Sequence, residues 1–380
     1  MTKHQRFVVA IVGFIAAGIS FGTAYRNAYN LPPSKPSTYG VPYAGIYAIP
    51  ENGWQDRLNQ SDGQAFAQLA TDPTLSRPLV FVDGRNEAAY RAQRPVFGYL
   101  TWLASLGQRA WVPVVIFALT SLTVAALAMT SAVWLARRAV NPWFGLYVVI
   151  LPGVQSIIVG GGPDAMAGWL VLAAVMAYER RVPQHGASST ATTDRRDLWI
   201  VSGLFAVAAL TRETTMIVAF VVALVHWWRS GLGIASAFRS GAALIAGVPL
   251  AVYFAWLAVV RVRFGAWPWN SNGRLDVISG LLAWRSVWRD SDWVICIVGF
   301  ALVALCLMVA RKQIAAWVVA AFGAFSLVLG EFVWHKWEDF SRVLLPMWLF
   351  AMLLALVALV EYGRAQDARR AELRAAVPAQ

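Results

Sequence analysis

Residues Trp111–Ala136 read WVPVVIFALTSLTVAALAMTSAVWLA, without one ionisable side chain until Arg137 and Arg138 close the run. The hydrocarbon core of a bilayer is about 30 Å thick and takes roughly 20 apolar residues of helix, so this stretch is long enough to cross it. Inside lipid no water is available to the backbone, and a helix satisfies its own amide and carbonyl groups. The rest of the chain is of the same kind. Of 380 residues 58% are hydrophobic and only 14% charged, where a soluble domain carries about 25% charged residues. Such a composition excludes a soluble globular protein, and it has too much apolar surface for a disordered one.

Runs of similar length, separated by charges or turn residues, give ten candidate spans: Phe7–Thr23, Trp111–Ala136, Trp143–Gly160, Asp164–Tyr178, Leu198–Leu210, Thr214–Trp228, Gly241–Val260, Trp293–Ala310, Ala315–Val333 and Val343–Tyr362. The expected architecture is all-α and polytopic, with one transmembrane domain over 1–362, a long first outer loop over 24–110 and a cytoplasmic tail over 363–380. Phe7–Thr23 suits either a cleaved signal peptide or a retained anchor, and its length beyond a usual apolar core of about 7–15 residues favours the anchor.

The net charge of +12 could mean an anionic partner such as nucleic acid, so the side of each charge matters. With the N-terminus inside, the cytoplasmic segments hold Lys3 and Arg6, Arg137 and Arg138, Arg180, Arg181, Arg195 and Arg196, Arg229 and Arg239, Arg311 and Lys312, and Arg364, Arg369, Arg370 and Arg374. That is half of the 32 basic residues but under a third of the 20 acids, the positive-inside pattern. Most of the excess is therefore explained by orientation, and nucleic acid drops out as a partner. The expected location is the cytoplasmic (inner) membrane with both termini inside.

Cys296 and Cys306 lie in one apolar run, about 15 Å apart along a helix axis, and cannot bridge each other. No CxxC, HExxH, Walker A or GxGxxG pattern is present, so no metal site or nucleotide cofactor is expected from motif. In the first outer loop, Asn30–Tyr47 reads as extended, Ser61–Ala70 and Asn86–Tyr90 as two short helices on the outer membrane surface, and Pro95–Gly107 as re-entrant or interfacial.

Ionisable residues avoid the span centres and gather at the outer ends: Asp62, Arg91 and Arg94, Asp164, Arg212 and Glu213, Glu331, and His335 through Arg342. Carboxylates, guanidiniums and a histidine at one boundary can bind a phosphate and supply a base. The order of short motifs is also informative: Asp62-Gly-Gln in the first loop, Tyr90-Arg-Ala-Gln-Arg-Pro95, Gly162-Pro-Asp-Ala165 opening a helix, Thr211-Arg-Glu-Thr214 between helices, and Arg342-Val-Leu-Leu-Pro346 opening the last span. From Asp62 to Pro346 the chain thereby resembles bacterial polytopic glycosyltransferases of the GT-C type that build cell-surface glycopolymers.

The resemblance implies a multi-helix fold with short helices on the outer surface. It also implies transfer of a sugar from a polyprenyl-phosphate donor to an envelope glycan or glycolipid acceptor, by inverting displacement with a first-loop carboxylate as base. Many members carry two adjacent acids in that loop, whereas Asp62 is followed by Gly63, so a divalent cation stays an open point. Asp62 reads as the general base or as a helix cap. Arg91 and Arg94 read as phosphate ligands or interfacial anchors. Asp164 suits helix capping, orienting the acceptor or holding Arg212. Arg212-Glu213 reads as a substrate contact or as an ion pair within a helical hairpin. His335, Lys336 and Arg342 can neutralise the donor phosphate, while Glu338 and Asp339 read as a solvated loop. His226 reads as part of an interfacial belt rather than a ligand, and Trp267, Trp269, Trp284 and Trp288 as headgroup-level anchors or as faces that stack on sugar C–H surfaces. A transporter or flippase of lipid-linked sugars, a non-catalytic envelope-assembly partner and an oligosaccharide ligase are the rival functions.

Overall fold

The computed structural model of the chain describes residues 1–29, 53–59, 63–76, 85–181, 195–230, 233–268, 278–283 and 286–376. Among them every regular element is helical. The first helices are α1 (Lys3–Tyr29), α2 (Gly53–Asn59), α3 (Gly63–Thr71), α4 (Arg85–Ala92), α5 (Pro95–Ala104), α6 (Val112–Arg137), α7 (Pro152–Gly160) and α8 (Asp164–Arg181). They are followed by α9 (Arg195–Thr211), α10 (Met216–Ser230), α11 (Ile234–Ser240), α12 (Ala242–Phe264), α13 (Ser279–Ala283), α14 (Asp290–Ala310), α15 (Ile314–Ser326), α16 (Glu331–Trp334), α17 (Trp337–Val343) and α18 (Leu345–Ala376).

Among the described residues five helices are long and apolar enough to cross a membrane: α1, Arg109–Arg137 around α6, α12, α14 and α18. The number rises to seven if each of two bent pairs is one span. One pair joins the 3₁₀ helix Pro142–Ile150 to α7 at 62°, the other joins Glu213–Ser230 to α11 at 108°. Each of the ten expected segments is built mainly of helix, but Ala315–Val333 breaks between Ser326 and Glu331, and α8, α9 and α15 are too short or too charged to pass on length and composition.

Lipid-facing surface is visible in the side chains. On α1, Val8, Val12, Ala16, Ser20 and Ala24 are buried four residues apart, while Phe7, Phe14 and Phe21 are exposed seven apart. The small face packs on α6, where a Cβ at Gly13 would overlap Met129 and the Ser20 and Ser121 hydroxyls meet at 3.1 Å. Small residues inward and large apolar residues outward is the arrangement lipid favours, because packing rather than water exclusion brings such helices together. On α14, Val294, Ile297, Met308 and Val309 are likewise each more than half exposed. Gly203, inside α9, has nothing within 4 Å of an added Cβ. Gly203→Ala should therefore raise the stability in detergent by about 0.5–1 kcal/mol, through reduced freedom of the unfolded chain; an unchanged or lower unfolding midpoint would contradict this packing.

Around the α1·α6 pair, the 3₁₀ segment and α8 close one side, and α9 joins α8 to α12. On the other side α10 reaches α15, which packs with α14 on α18. The bend before α7 has a local cause. Pro152 excludes Leu151 from helical geometry, and Leu151 is extended at φ −61°, ψ 133°. At its other end α7 stops on Gly161 in the left-handed region, φ +65°, a conformation that glycine adopts without strain. The last helix runs unbroken for 32 residues, so the expected tail over 363–380 continues the last span as helix to Ala376.

Two expectations for segments between the spans are corrected. Helix α3 is not a surface helix: Gly63–Ala70 are buried on every side. Its glycine and alanines leave room for close neighbours all round, with Phe66 edge-on to Phe97 at 5.6 Å and Leu69 directly under Gly98. Trp288 is not an interfacial anchor either. It is buried, donates to the Trp334 carbonyl at 2.8 Å, meets Trp293 edge-on and lies tilted against Phe340. The segment Asn30–Tyr47, together with Trp269 and Trp284, lies outside the described residues.

Candidate functional site

Four of the charges singled out from sequence are brought together at one end of the bundle. Arg94, between α4 and α5, holds Glu213 through two parallel bonds, Nε to Oε2 at 2.6 Å and Nη2 to Oε1 at 2.5 Å. This fork geometry is the strong form of a guanidinium–carboxylate contact. The second pair joins Arg212 to Asp164, the first residue of α8. Arg94, Arg212 and Asp164 are each less than a tenth exposed. Burial alone would lower the Arg94 pKa, but the Glu213 carboxylate outweighs it and raises the value well above that of an ordinary arginine.

The neighbours Arg212 and Glu213 thus pair with partners 48 and 119 residues away rather than as a local hairpin ion pair. The reason lies in the backbone. Arg212 is extended, φ −155°, ψ 119°, and in extended chain successive side chains leave on opposite faces. Asp164 is placed where the helix dipole favours a carboxylate, and its oxygen carries the Arg212 contact as well.

The aromatic and amide residues around Arg94 fix its segment. Arg94 Nη2 donates to the Tyr90 hydroxyl at 3.1 Å, and its guanidinium lies 5.1 Å from that ring's centre. From α12, Tyr253 donates to Gln93 Oε1 and Trp256 Nε1 to the Ala92 carbonyl, both at 2.9 Å. Arg91 has its guanidinium 5.6 Å from the centre of the same Tyr90 ring. Tyr253 was not legible as a site residue, since 160 positions separate it from Gln93 and no local pattern links them.

Asp62 lies outside the described residues, but its neighbour Gly63 is fixed. A Cβ on Gly63 would fall 2.5 Å from the Gly160 carbonyl oxygen and 2.7 Å from that of Gly161. Arg57, on α2, donates from Nε to the Val159 carbonyl at 2.9 Å. The start of α3 is therefore seated on the turn that leads directly into Asp164.

Arg342 belongs to a second group. It pairs with Asp339 at 3.7 Å, and α17 presses on α7, where a Cβ on Gly153 would meet the Ser341 carbonyl. From Gly153 to Gly160 along α7 is roughly 10 Å at 1.5 Å per residue, which separates this group from the seat of Gly63. His335 and Lys336 are exposed beside it. Glu338 and Asp339 are half-buried on α17 rather than in a solvated loop. Asp292, which drew no attention in the sequence, is the group's buried anchor. It accepts from the backbone N–H of Arg289 and of Trp337, both at 2.8 Å. Its signal was local, an acid at the third position of a helix, and its long-range half was not readable.

His226, expected in an interfacial belt, is buried at the opposite end of the bundle, 2.9 Å from the Tyr178 hydroxyl and 2.9 Å from the Ser240 carbonyl. A carbonyl only accepts, so Nε2 carries the proton toward Ser240.

Two polar atoms near the ion pairs are buried with no hydrogen-bond partner, Arg212 Nε and Thr214 Oγ1. A buried donor without an acceptor is costly, by about 1–3 kcal/mol, and such groups draw in a ligand or water rich in lone pairs. Among the described residues no three His, Cys, Asp or Glu side chains converge as metal ligands. Compared with protein-family models, with curated proteins and with solved structures, the chain matches none.

Proposed function

We propose that this protein is a membrane glycosyltransferase that moves a sugar from a polyprenyl-phosphate donor to an envelope glycan or glycolipid acceptor on the outer face of the cytoplasmic membrane. The reading includes ten spans, the five long helices and two bent pairs being joined by α8, α9 and α15, with the ion-paired end outside. The observation that carries it is the unpartnered Arg212 Nε and Thr214 Oγ1 beside two buried ion pairs. Donors held in place by charged neighbours, away from water, suit an oxyanion such as a phosphate.

In this reading Asp62 takes the proton from an acceptor hydroxyl while that oxygen attacks the anomeric carbon. The bond from that carbon to the phosphate oxygen breaks, and the phosphate leaves with its electron pair. Arg212, and Arg342 from the neighbouring group, neutralise the charge that develops on it. Arg94 and Glu213 satisfy each other, so their part is to hold the Tyr90–Arg94 segment rigid. The motif order from Asp62 to Pro346 supports the same class of chemistry.

The test is to incubate purified protein with a panel of polyprenyl-phosphate sugars and an acceptor extract, then repeat the productive reaction with Asp62→Asn and with a chelator. Asp62→Asn is expected to lower turnover by about 10²-fold or more, the usual scale of a lost general base, while the far-UV spectrum stays unchanged. The chelator arm decides whether a divalent cation takes part. No turnover with any donor would remove the transferase reading. The two bent helix pairs favour a second one, transport of a lipid-linked sugar, since broken helices line substrate paths in transporters. A transporter would move labelled lipid-linked sugar across proteoliposomes without covalent transfer and would be indifferent to Asp62→Asn.

A further inference from the structure

At the other end of the bundle a cleft of about 290 Å³ opens between the C-terminal ends of α6, α8 and α10, the start of α15 and the middle of α18. It is remote from the ion-paired end: Glu179, in its wall, follows Asp164 along the same helix by about 22 Å at 1.5 Å per residue. Its volume is close to the small end of the range for small-molecule sites, roughly 300 Å³, enough for a phosphate and a short substituent.

The lining is charged, and its charges are unequally used. Arg138 pairs with Glu179 at 2.8 Å, with its guanidinium stacked 3.4 Å from the Trp134 ring centre. Arg229 and Lys312 also line the cleft, and among the described residues neither is paired with a carboxylate. Arg229 reaches the Lys312 carbonyl, at 3.4 Å, and the Tyr178 hydroxyl, both neutral partners. Glu361 lines the cleft from α18 and is exposed. Two further features favour an anion. Gln313 precedes α15 and makes no side-chain cap to it, so the positive end of a 13-residue helix opens on the cleft beside Lys312. The Gln313 side-chain oxygen, in the same wall, is buried without a hydrogen-bond partner, which leaves an acceptor for a ligand hydroxyl.

We propose that this cleft is a binding site for a phosphate group bearing a hydroxylated substituent. Arg229, Lys312 and the α15 N-terminus hold the phosphate oxygens, since a helix N-terminus flanked by cations is a ready anion site. Gln313 and Glu361 accept from the hydroxyls. Two sources share this chemistry, an anionic glycerophospholipid headgroup in the leaflet at that end and a small soluble phosphate ester.

The test uses the full chain in nanodiscs of phosphatidylcholine, titrated with phosphatidylglycerol in one arm and with glycerol 3-phosphate in the other, reading the thermal unfolding midpoint and lipid retention by native mass spectrometry. Binding in at least one arm is expected, weakened about tenfold or more by Lys312→Gln and by Arg229→Gln, the scale of one lost charged hydrogen bond. Lys312 is exposed, so its variant should fold even if Arg229→Gln does not. Arg311→Gln removes the same charge from an exposed neighbour that does not line the cleft, and should bind as wild type. Saturation by the lipid alone identifies a headgroup site, and competition by glycerol 3-phosphate a soluble-ester site. No binding in either arm, or equal losses in Arg311→Gln and Lys312→Gln, would overturn the proposal.

Discussion

Glu213→Ala should lower the stability of the protein in detergent by about 3–5 kcal/mol, because it leaves the Arg94 guanidinium buried with no counter-charge. The wild-type pair combines two short bonds, at 2.5 and 2.6 Å, with near-complete burial of the arginine. Taking either charge out of water is expensive, and the pairing offsets that only while both partners are present. The converse substitution follows from the same argument. Arg94→Met combined with Glu213→Leu removes both charges and keeps apolar volume, so the double variant should regain most of the loss and give a coupling energy well above that of independent sites. Thermal or SDS unfolding, followed by the fluorescence of the nineteen tryptophans, measures Glu213→Ala, the double variant and its two component single variants. A Glu213→Ala midpoint equal to wild type would show that the pair is solvated and not a structural clamp.

Gly63→Ala is expected to have the largest effect on activity for the smallest chemical change. The added methyl would lie 2.5 and 2.7 Å from the carbonyl oxygens of Gly160 and Gly161 and 2.6 Å from Leu58, and two of those three obstacles are backbone that cannot swing aside. Overpacking of this kind costs typically 1–3 kcal/mol. Helix α3 has to move off its seat, and Asp62 moves with it. On the transferase reading a displacement of about 1 Å at the base lowers turnover by about 10²-fold, with helix content unchanged. Gly203→Ala is the matched control, an equal change with open space around it. Full activity in Gly63→Ala would detach Asp62 from the chemistry.

The spans were legible because lipid imposes a length and a composition on any segment that crosses it: Trp111–Arg137 needs no tertiary knowledge to be read as a helix. Charge parity also put Arg94, Asp164, Arg212 and Glu213 at one end. Which of them pair was not legible, since adjacency at 212 and 213 suggests a local contact and only the extended backbone at Arg212 sends the two side chains apart. Helix α3 misled for a related reason. A short run of glutamine, alanine and phenylalanine has the spacing of a surface helix, and its burial comes from Gly98 and the Gly160–Gly161 turn, supplied by distant parts of the chain. The number of spans was less legible than their positions: among the described residues five to seven segments meet the length and composition of a span, while a helix such as α15 is apolar throughout but only 13 residues long.

Helix α18 has one more consequence. Its 32 residues rise about 48 Å at 1.5 Å per residue, against about 30 Å of hydrocarbon, and its second half carries Arg364, Arg369 and Arg370. A stiff rod therefore projects from the body into water. A soluble marker domain whose own first helix continues this rod in register would be held at a fixed attitude, and each residue inserted at the junction would rotate it by about 100°. That provides an external landmark for aligning single-particle images of a protein otherwise almost hidden in its detergent or lipid belt.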